Sequence, residues 1–191
     1  MEGFYDDKEN VQVDIQIGRN ELKKLQFDYT YDDKHELVYE LYCIPSHNEQ
    51  AYYVQIFKKN ATYYASYVKS VIEDYAIGVT IYMYTLRDAV EANDMNRYYG
   101  KLVCGYKKIS DDNVRYLKGL FEYIHIGSHW NENSGIYIDG TFQMIRVYSD
   151  GKMIKELAFH NETDSITDVK IRKKLGVLNH FVEKEIIGQE V

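Results

Sequence analysis

The most regular pattern in the chain covers residues 136–160, where short runs of alternating apolar and polar residues are separated by Asp-Gly pairs. A two-residue period is typical of a β-strand with one buried face. Asp139-Gly140 and Asp150-Gly151 supply residues that tolerate the positive φ angles of a tight hairpin turn. The pattern therefore predicts three antiparallel strands joined by two turns.

Further strands are predicted nearer the N-terminus. "HELVYELYCI" and "AYYVQIFKK" are rich in aromatic and β-branched residues, and they flank the loop-like "PSHNEQ", as in a hairpin. "VQVDIQI" at residues 11–17 alternates and predicts another strand, which "GRN" would end as a turn. Residues 79–86 alternate as well. The glycines of "YYGKLVCGYKKI" indicate a strand with a bulge or a close backbone approach.

Two stretches fit either a helix or a strand. In residues 21–31, "ELKKLQF" has helical spacing and "FDYTY" alternates, which favours a strand for the second part. In residues 62–78 helical spacing favours a helix closed by Gly78, and a strand through Tyr67 followed by a shorter helix is the alternative. The apolar positions at helical intervals are Tyr64, Val68, Val71, Ile72 and Tyr75.

Two helices are predicted with clear signals. Ser110 stands at an N-cap, and Asp111 and Asp112 follow in the first turn, where the helix dipole favours negative charge. The apolar stripe of this helix is Val114, Leu117, Leu120, Phe121 and Ile124. The stripe of a C-terminal helix is Ile171, Leu175, Leu178 and Val182.

These elements predict an α+β fold, with an antiparallel sheet of hairpins covered by two or three helices. Strands outnumber helices, and the strict strand-helix alternation of a doubly wound sheet is missing from the pattern. With 191 residues the chain fits one domain spanning residues 1–191, and a weak division near residues 93–98 is the alternative.

Charge and composition narrow the function. The chain has 23 basic and 30 acidic residues, a net charge of −7, with no basic stripe. We therefore expect neither nucleic acid nor an anionic membrane as partner, and a basic protein fits better, although negative charge also serves solubility alone. The N-terminus has no signal-peptide pattern, which predicts a soluble cytoplasmic protein. Cys43 and Cys104 lie in apolar runs and are predicted to be buried thiols.

One cluster could bind a metal. Glu122, His125 and His129 are three and four residues apart, so on one continuous helix they would share a face as a metal triad. Gly127 falls between the histidines, where the helix should stop. The competing interpretation is a helix end, with histidines near the negative pole of the dipole. No cofactor is predicted.

Aromatic residues suggest a binding surface. The chain has 20 tyrosines, with doublets at residues 52–53, 63–64 and 98–99 that would place one ring on each face of a strand. Outward tyrosines suit protein contacts or stacking on sugars. Trp130 lies in a polar loop, as a contact residue or folded back onto the sheet, and His160 is interpreted as structural. The predicted contact residues are Tyr52, Tyr63, Tyr98 and Trp130.

The C-terminal quarter, "IYIDGTFQMIRVYSDGKMIKELAFHNE" followed by a helix, resembles the ends of uncharacterised small α+β proteins of bacteria. The whole chain is also similar to the acidic immunity proteins that neutralise secreted bacterial toxins. The resemblance implies a binding role and carries over no catalytic residue.

The resulting hypothesis is a noncatalytic bacterial protein that binds another macromolecule, in the form of an acidic inhibitor or immunity-type partner of a basic protein. The alternatives are a small metal-dependent hydrolase built on Glu122, His125 and His129, and a carbohydrate-binding module. The sequence leaves the oligomeric state open.

Overall fold

The computed structural model describes residues 8–29, 34–44, 50–73, 102–124, 142–160 and 166–188. Within these ranges the helices are α1 (Lys8–Lys24), α2 (Asp111–Ile124) and α3 (Ile166–Phe181), and a π-helical turn, Val182–Ile187, follows α3. The strands are β1 (Glu36–Ile44), β2 (Gln50–Lys59), β3 (Thr62–Glu73), β4 (Leu102–Ile109), β5 (Phe142–Ser149) and β6 (Lys152–His160).

The six strands form one antiparallel sheet in the order β4-β3-β2-β1-β5-β6. Among the described strands, four pairs of consecutive strands are neighbours: β1 with β2, β2 with β3, β3 with β4, and β5 with β6. The pairing of β1 with β5 joins the two groups of hairpins at the centre of the sheet. The predicted α+β class with an antiparallel sheet is confirmed.

One face of the sheet packs against α2, α3 and the π-helical turn. The strands bury Tyr39, Leu41, Cys43, Tyr52, Val54, Ile56, Ala65, Tyr67, Ile109, Ile145 and Leu157 on this side. The helical segments bury Val114, Leu117, Leu120, Phe121, Leu175, Leu178, Val182, Ile186 and Ile187 against them. Both predicted apolar stripes therefore face the sheet at their described positions.

Helix α1 covers the opposite face. Ile15 and Leu22 of this helix share a second core with Tyr42, Ala51, Tyr53, Val68, Phe142 and Met144. The sheet is thus the middle of three layers. Because both faces of its central strands are covered, neighbouring residues on one strand can both be buried.

Two local signals behave as predicted. Asp150 and Gly151 have φ angles of 51° and 72° and connect β5 to β6, as a tight hairpin turn requires. Ser110 caps α2, since its Oγ accepts a hydrogen bond from the backbone N–H of Asn113 at 3.1 Å. The hairpin of β1 and β2 is also confirmed.

The predicted strand at residues 11–17 is wrong, because these residues lie in α1. The helix buries Asp14, Ile15, Glu21 and Leu22, which lie at helical spacing. Two of these four side chains are acidic, whereas the apolar Val13 is 56% exposed. The apolar alternation therefore does not mark the buried face. Gly18 was assigned to a turn, but it is where α1 meets the sheet: a Cβ there would lie 2.8 Å from the Tyr53 ring.

The predicted helix from residue 62 is also wrong, because residues 62–73 form β3. The alternative was a strand through Tyr67 followed by a shorter helix. Its strand is confirmed, and that strand continues to Glu73. Asn60 and Ala61 make the turn from β2 with φ angles of 48° and 63°, and β3 then pairs with β2 and β4. Pairing on both edges favours the extended backbone over helical spacing in this aromatic and β-branched segment.

Several sequence predictions concern residues outside the described ranges. The strand at residues 79–86, the turn at Asp139-Gly140 with the strand before it, and the division near residues 93–98 lie outside the described residues. The strand favoured for "FDYTY" is not formed at residues 27–29. In the part of the chain that the structure describes, no helix is long and apolar enough to cross a membrane.

Candidate functional site

A polar cluster lies between α1 and the sheet, and the Glu40 carboxylate is at its centre. In the sheet register Glu40 pairs with Gln55 of β2 and with Arg146 of β5, so these three side chains share the face that α1 covers. Glu40 is 3% exposed. A carboxylate buried to this extent is stable as a charge only with close partners.

Arg19 of α1 is the main partner of Glu40. Its Nη2 lies 2.6 Å from Oε1 and 2.7 Å from Oε2, and its Nε lies 2.9 Å from Oε1. Burial by itself lowers the pKa of the guanidinium, but its electrostatic interactions and hydrogen bonds with Tyr53 and Glu40 reverse the shift, so the pKa of Arg19 is raised overall. Arg19 thus stays charged and joins α1 to β1 through a bidentate ion pair.

Two tyrosine hydroxyls donate to the same carboxylate, Tyr53 to Oε1 and Tyr148 to Oε2. Burial raises the pKa of both phenols, and the negative charge of Glu40 raises it further. Both hydroxyls therefore remain protonated donors over the whole physiological range. Gln55 extends the cluster, because its Nε2 donates to Tyr53 at 3.0 Å and to Asp28 at 2.7 Å.

Arg146 links the cluster to the edge of the sheet. Its Nη1 lies 3.6 Å from Glu40 Oε2, its Nε donates to Glu156 at 2.8 Å, and its Nη2 donates to Gln12 of α1 at 2.6 Å. Both oxygens of Glu40 are thus fully engaged by donors. These contacts fix the position of α1 on the sheet.

A second feature lies on the same side of the sheet, where six rings pack together. This group, here called the aromatic surface, consists of Phe27, Tyr29, His35, Phe57, Tyr64 and Tyr106. Phe57 is fully buried at its base. Tyr64 stacks on Phe57 with centroids 5.8 Å apart, and Tyr106 stacks on Tyr64 at 5.4 Å. Strands β2, β3 and β4 therefore carry a row of stacked rings.

Tyr106 is the most accessible ring of the aromatic surface, with 37% of its area exposed. It also stacks on Phe27, which follows α1, at 5.4 Å. Burial, and then the nearby Tyr29 and Tyr64, raise the pKa of its hydroxyl. The surface thus combines stacked rings with hydroxyl groups, a combination that suits contact with another protein.

Two of the predicted contact tyrosines, Tyr52 and Tyr63, lie on the face of the sheet that α2 and α3 cover. Tyr52 is 2% exposed, and its hydroxyl donates to Asn179 of α3 at 2.5 Å, so its ring belongs to the core. Tyr63 is half-buried, packs against the same core and has Lys58 Nζ 5.7 Å from its ring centroid. Tyr52 and Tyr53 point to opposite faces of β2, as the doublet predicts, and both are buried because helices cover both faces of the sheet.

The other residues that the sequence singled out are Glu122, His125, His129, Trp130, Tyr98 and His160. Glu122 lies near the end of α2, where its side chain is 70% exposed and Lys118 Nζ is 3.9 Å away. His125, His129, Trp130 and Tyr98 lie outside the described residues. His160 ends β6 opposite Phe142. Within the described ranges, no group of three or more His, Cys, Asp and Glu residues could hold a metal ion.

Sequence reasoning missed Arg19, Glu40 and Arg146. Arg19 was assigned to a turn, and the two others occupy polar positions of alternating strands, which a one-sided sheet would leave in water. The available signal was the opposite charge of Glu40 and Arg146. It could be used only once β1 was known to pair with β5.

Comparison of the chain with known protein families, with curated proteins and with solved structures finds no match.

Proposed function

We propose that this protein is a noncatalytic binding protein that contacts another protein through the aromatic surface, in the form of an inhibitor or immunity-type partner of a basic protein. The observation that carries the proposal is the exposed Tyr106 ring, held by stacking on Phe27 and Tyr64. A ring fixed before binding loses little conformational entropy when a partner covers it.

The stacking also bears on the kind of ligand. Tyr64 and Tyr106 are nearly parallel, with 18° between their planes, and each directs a face toward its neighbour. Sugar rings bind best to open aromatic faces, whereas a protein partner can use ring edges and hydroxyl groups. The geometry therefore favours a protein over a carbohydrate as ligand.

Charge has a different role from ring contact in this proposal. The net charge of −7 attracts a basic partner at long range and raises its association rate. Locally, the exposed Lys108 pairs with Tyr64 across β3 and β4, so the aromatic surface has a basic neighbour on this side. We therefore expect charge to govern association and the rings to govern dissociation.

The test begins with capture of partners on the immobilised protein at low salt and their release at high salt. A captured basic protein is then purified, and its binding kinetics are measured with the wild type and two variants. Tyr106→Ala removes the exposed ring on β4 at one edge of the sheet. Ile154→Ala, at a position 64% exposed on β6 at the other edge, is the matched control.

The expected result is a partner that dissociates about tenfold faster from Tyr106→Ala and at the wild-type rate from Ile154→Ala, while added salt changes the association rate more than the dissociation rate. Equal dissociation rates for all three proteins would remove the aromatic surface from the proposal. A response to oligosaccharides that depends on Tyr106, with no protein captured, would replace it with carbohydrate binding.

A further inference from the structure

A groove on the far side of the molecule from α1 lies along α3, beside α2. It has a volume of about 510 Å³ and is open to solvent along its length. The lining residues recur at helical spacing from Lys173 in α3 to Lys184 in the π-helical turn that follows it, a distance of about three turns of helix. The groove therefore has the length of a short helix.

The floor of the groove is apolar and exposed. Tyr116 of α2 is 46% exposed and Val177 of α3 is 43% exposed, and the ring of Tyr116 lies 4.8 Å from that of Phe181. These side chains give the groove an apolar surface on which a partner's apolar side chains can pack.

Gly176 deepens the groove at the middle of α3. A glycine inside a helix costs about 1 kcal/mol relative to alanine. Outside its own stretch of helix, no heavy atom of the described residues lies within 4 Å of the position that a Cβ of Gly176 would take, so packing among the described residues does not require a glycine there. The missing side chain leaves room for a close approach from outside.

The charge of the groove is opposite to that of the whole chain. Among the described residues that line it, Lys173 and Lys184 are basic and Glu185 is acidic, so positive charge is in excess by one. Glu185 also lies near the half-buried Lys107. Burial lowers the pKa of Lys107, and the carboxylate of Glu185 opposes that shift. A basic groove on a chain of net charge −7 selects an acidic partner over a basic one.

We propose that this groove binds an acidic amphipathic helix of a partner protein, with apolar side chains on Tyr116 and Val177, carboxylates on Lys173 and Lys184, and the helix backbone close to Gly176. Grooves between helices commonly take helical segments in this way, with anchors at i, i+3 or i+4, and i+7. This second surface goes beyond the proposed function, since it has the opposite charge preference and lies away from the aromatic surface.

The test uses the full chain and a fluorescent peptide of about four helical turns, with Leu on one face and Glu on the others. Fluorescence anisotropy gives its affinity for the wild type and for three variants. Gly176→Leu fills the groove, and Lys173→Glu with Lys184→Glu reverses its charge. Gly119→Ala on α2 is the matched control, because that glycine is also exposed, has no heavy atom of the described residues within 4 Å of its Cβ position, and is not part of the groove lining.

The expected result is salt-sensitive binding that weakens about tenfold or more in Gly176→Leu and in the charge-reversed variant, with Gly119→Ala unchanged. Replacing either glycine favours the helix, so a melting temperature that holds or rises shows that lost binding is not lost folding.

Absence of peptide binding to the wild type, or equal weakening in Gly119→Ala, would overturn the proposal. Equally tight binding of polyglutamate, or stronger competition by inorganic phosphate than by sodium chloride at the same ionic strength, would make the groove a simple anion site and also overturn it. Sedimentation of the wild type and of Gly176→Leu tests whether a second copy of the chain occupies the groove. Self-association lost only in Gly176→Leu would assign the groove to a second copy of the chain and also overturn the proposal.

Discussion

The guanidinium of Arg19 and the carboxylate of Glu40 form a bidentate ion pair between α1 and the central strand, with Nη2 2.6 and 2.7 Å from the two oxygens. The Arg19 side chain is 15% exposed and that of Glu40 is 3% exposed. Removal of one partner from such a pair leaves a buried charge without compensation, which costs more than the pair itself contributes.

We therefore expect Arg19→Ala to lower the free energy of unfolding by about 3–5 kcal/mol. Urea denaturation measures the change. The control is Arg115→Ala, whose ion pair with Asp112 has both side chains more than three-quarters exposed, and its effect should stay below about 1 kcal/mol. Similar small losses in the two variants would show that the pair does not fasten α1.

Alkaline pH should destabilise the protein through Tyr53 and Tyr148. Burial, followed by the charge of Glu40, raises the pKa of both phenols in the folded state. Their contribution is therefore complete below about pH 10, where unfolded tyrosine begins to lose its proton, and it falls as the pH rises further toward the folded pKa.

Urea midpoints measured from about pH 9 to pH 11 test this dependence. Tyr148→Phe should be less stable than the wild type at neutral pH, because Glu40 loses a donor, and should lose less stability between those two pH values. Tyr116→Phe, at a position 46% exposed, should follow the wild-type curve. Parallel curves for all three proteins would contradict the assignment.

Gly105 and Tyr67 should be energetically coupled. They are partners in the register of β3 and β4, and a Cβ on Gly105 would lie 2.2 Å from the Tyr67 ring, which is 8% exposed. Gly105→Ala is expected to cost about 1–3 kcal/mol, because the ring must move. In a double-mutant cycle, Tyr67→Ala should remove most of that cost. Purely additive effects would show that the ring does not restrict this position.

The Cys104 thiol should react slowly although it is only half-buried. Burial, and then the Glu21 carboxylate, raise its pKa from 9.0 to about 11. That difference makes the reactive thiolate about a hundredfold scarcer at a given pH. Thiol labelling near neutral pH should be slow in the native protein and fast in urea. Cys43 is fully buried and should be protected as well.

A substitution of Glu21 separates the causes of this slow reaction. Glu21→Gln removes one of the negative charges that disfavour the thiolate, so it should speed labelling of Cys104 in a Cys43→Ser background. Fast labelling of the native wild-type protein would contradict the raised pKa, and an unchanged rate in Glu21→Gln would leave burial as the sole cause.

Local signals in the sequence predicted those elements that local physics controls. The Asp150-Gly151 turn, the Ser110 cap and the stripe of α2 each depend on residues close together in the chain. The close backbone approach indicated by the glycines of β4 is found at Gly105, where the ring comes from β3. The α+β class followed from these elements, because alternating strands need helices to bury their apolar face.

Two wrong predictions have the same cause, because in both segments contacts with residues distant in the chain decide the backbone conformation. Residues 11–17 alternate like a strand, but as a helix they can place Asp14 against the Tyr42 hydroxyl and Ile15 in the core. Residues 62–73 have helical spacing, but as a strand they hydrogen-bond along both edges. In neither segment does the apolar pattern alone identify the buried face.

The sequence by itself determined the turns, the cap, the antiparallel hairpins and the net negative charge, because each depends on neighbouring residues or on composition. Only the tertiary structure decided that α1 covers the second face of the sheet, that Glu40 meets Arg19 and Arg146, and that distant aromatic residues stack into one surface. Those contacts join residues up to 134 positions apart, and their formation depends on strand order and layer packing, which no local pattern encodes.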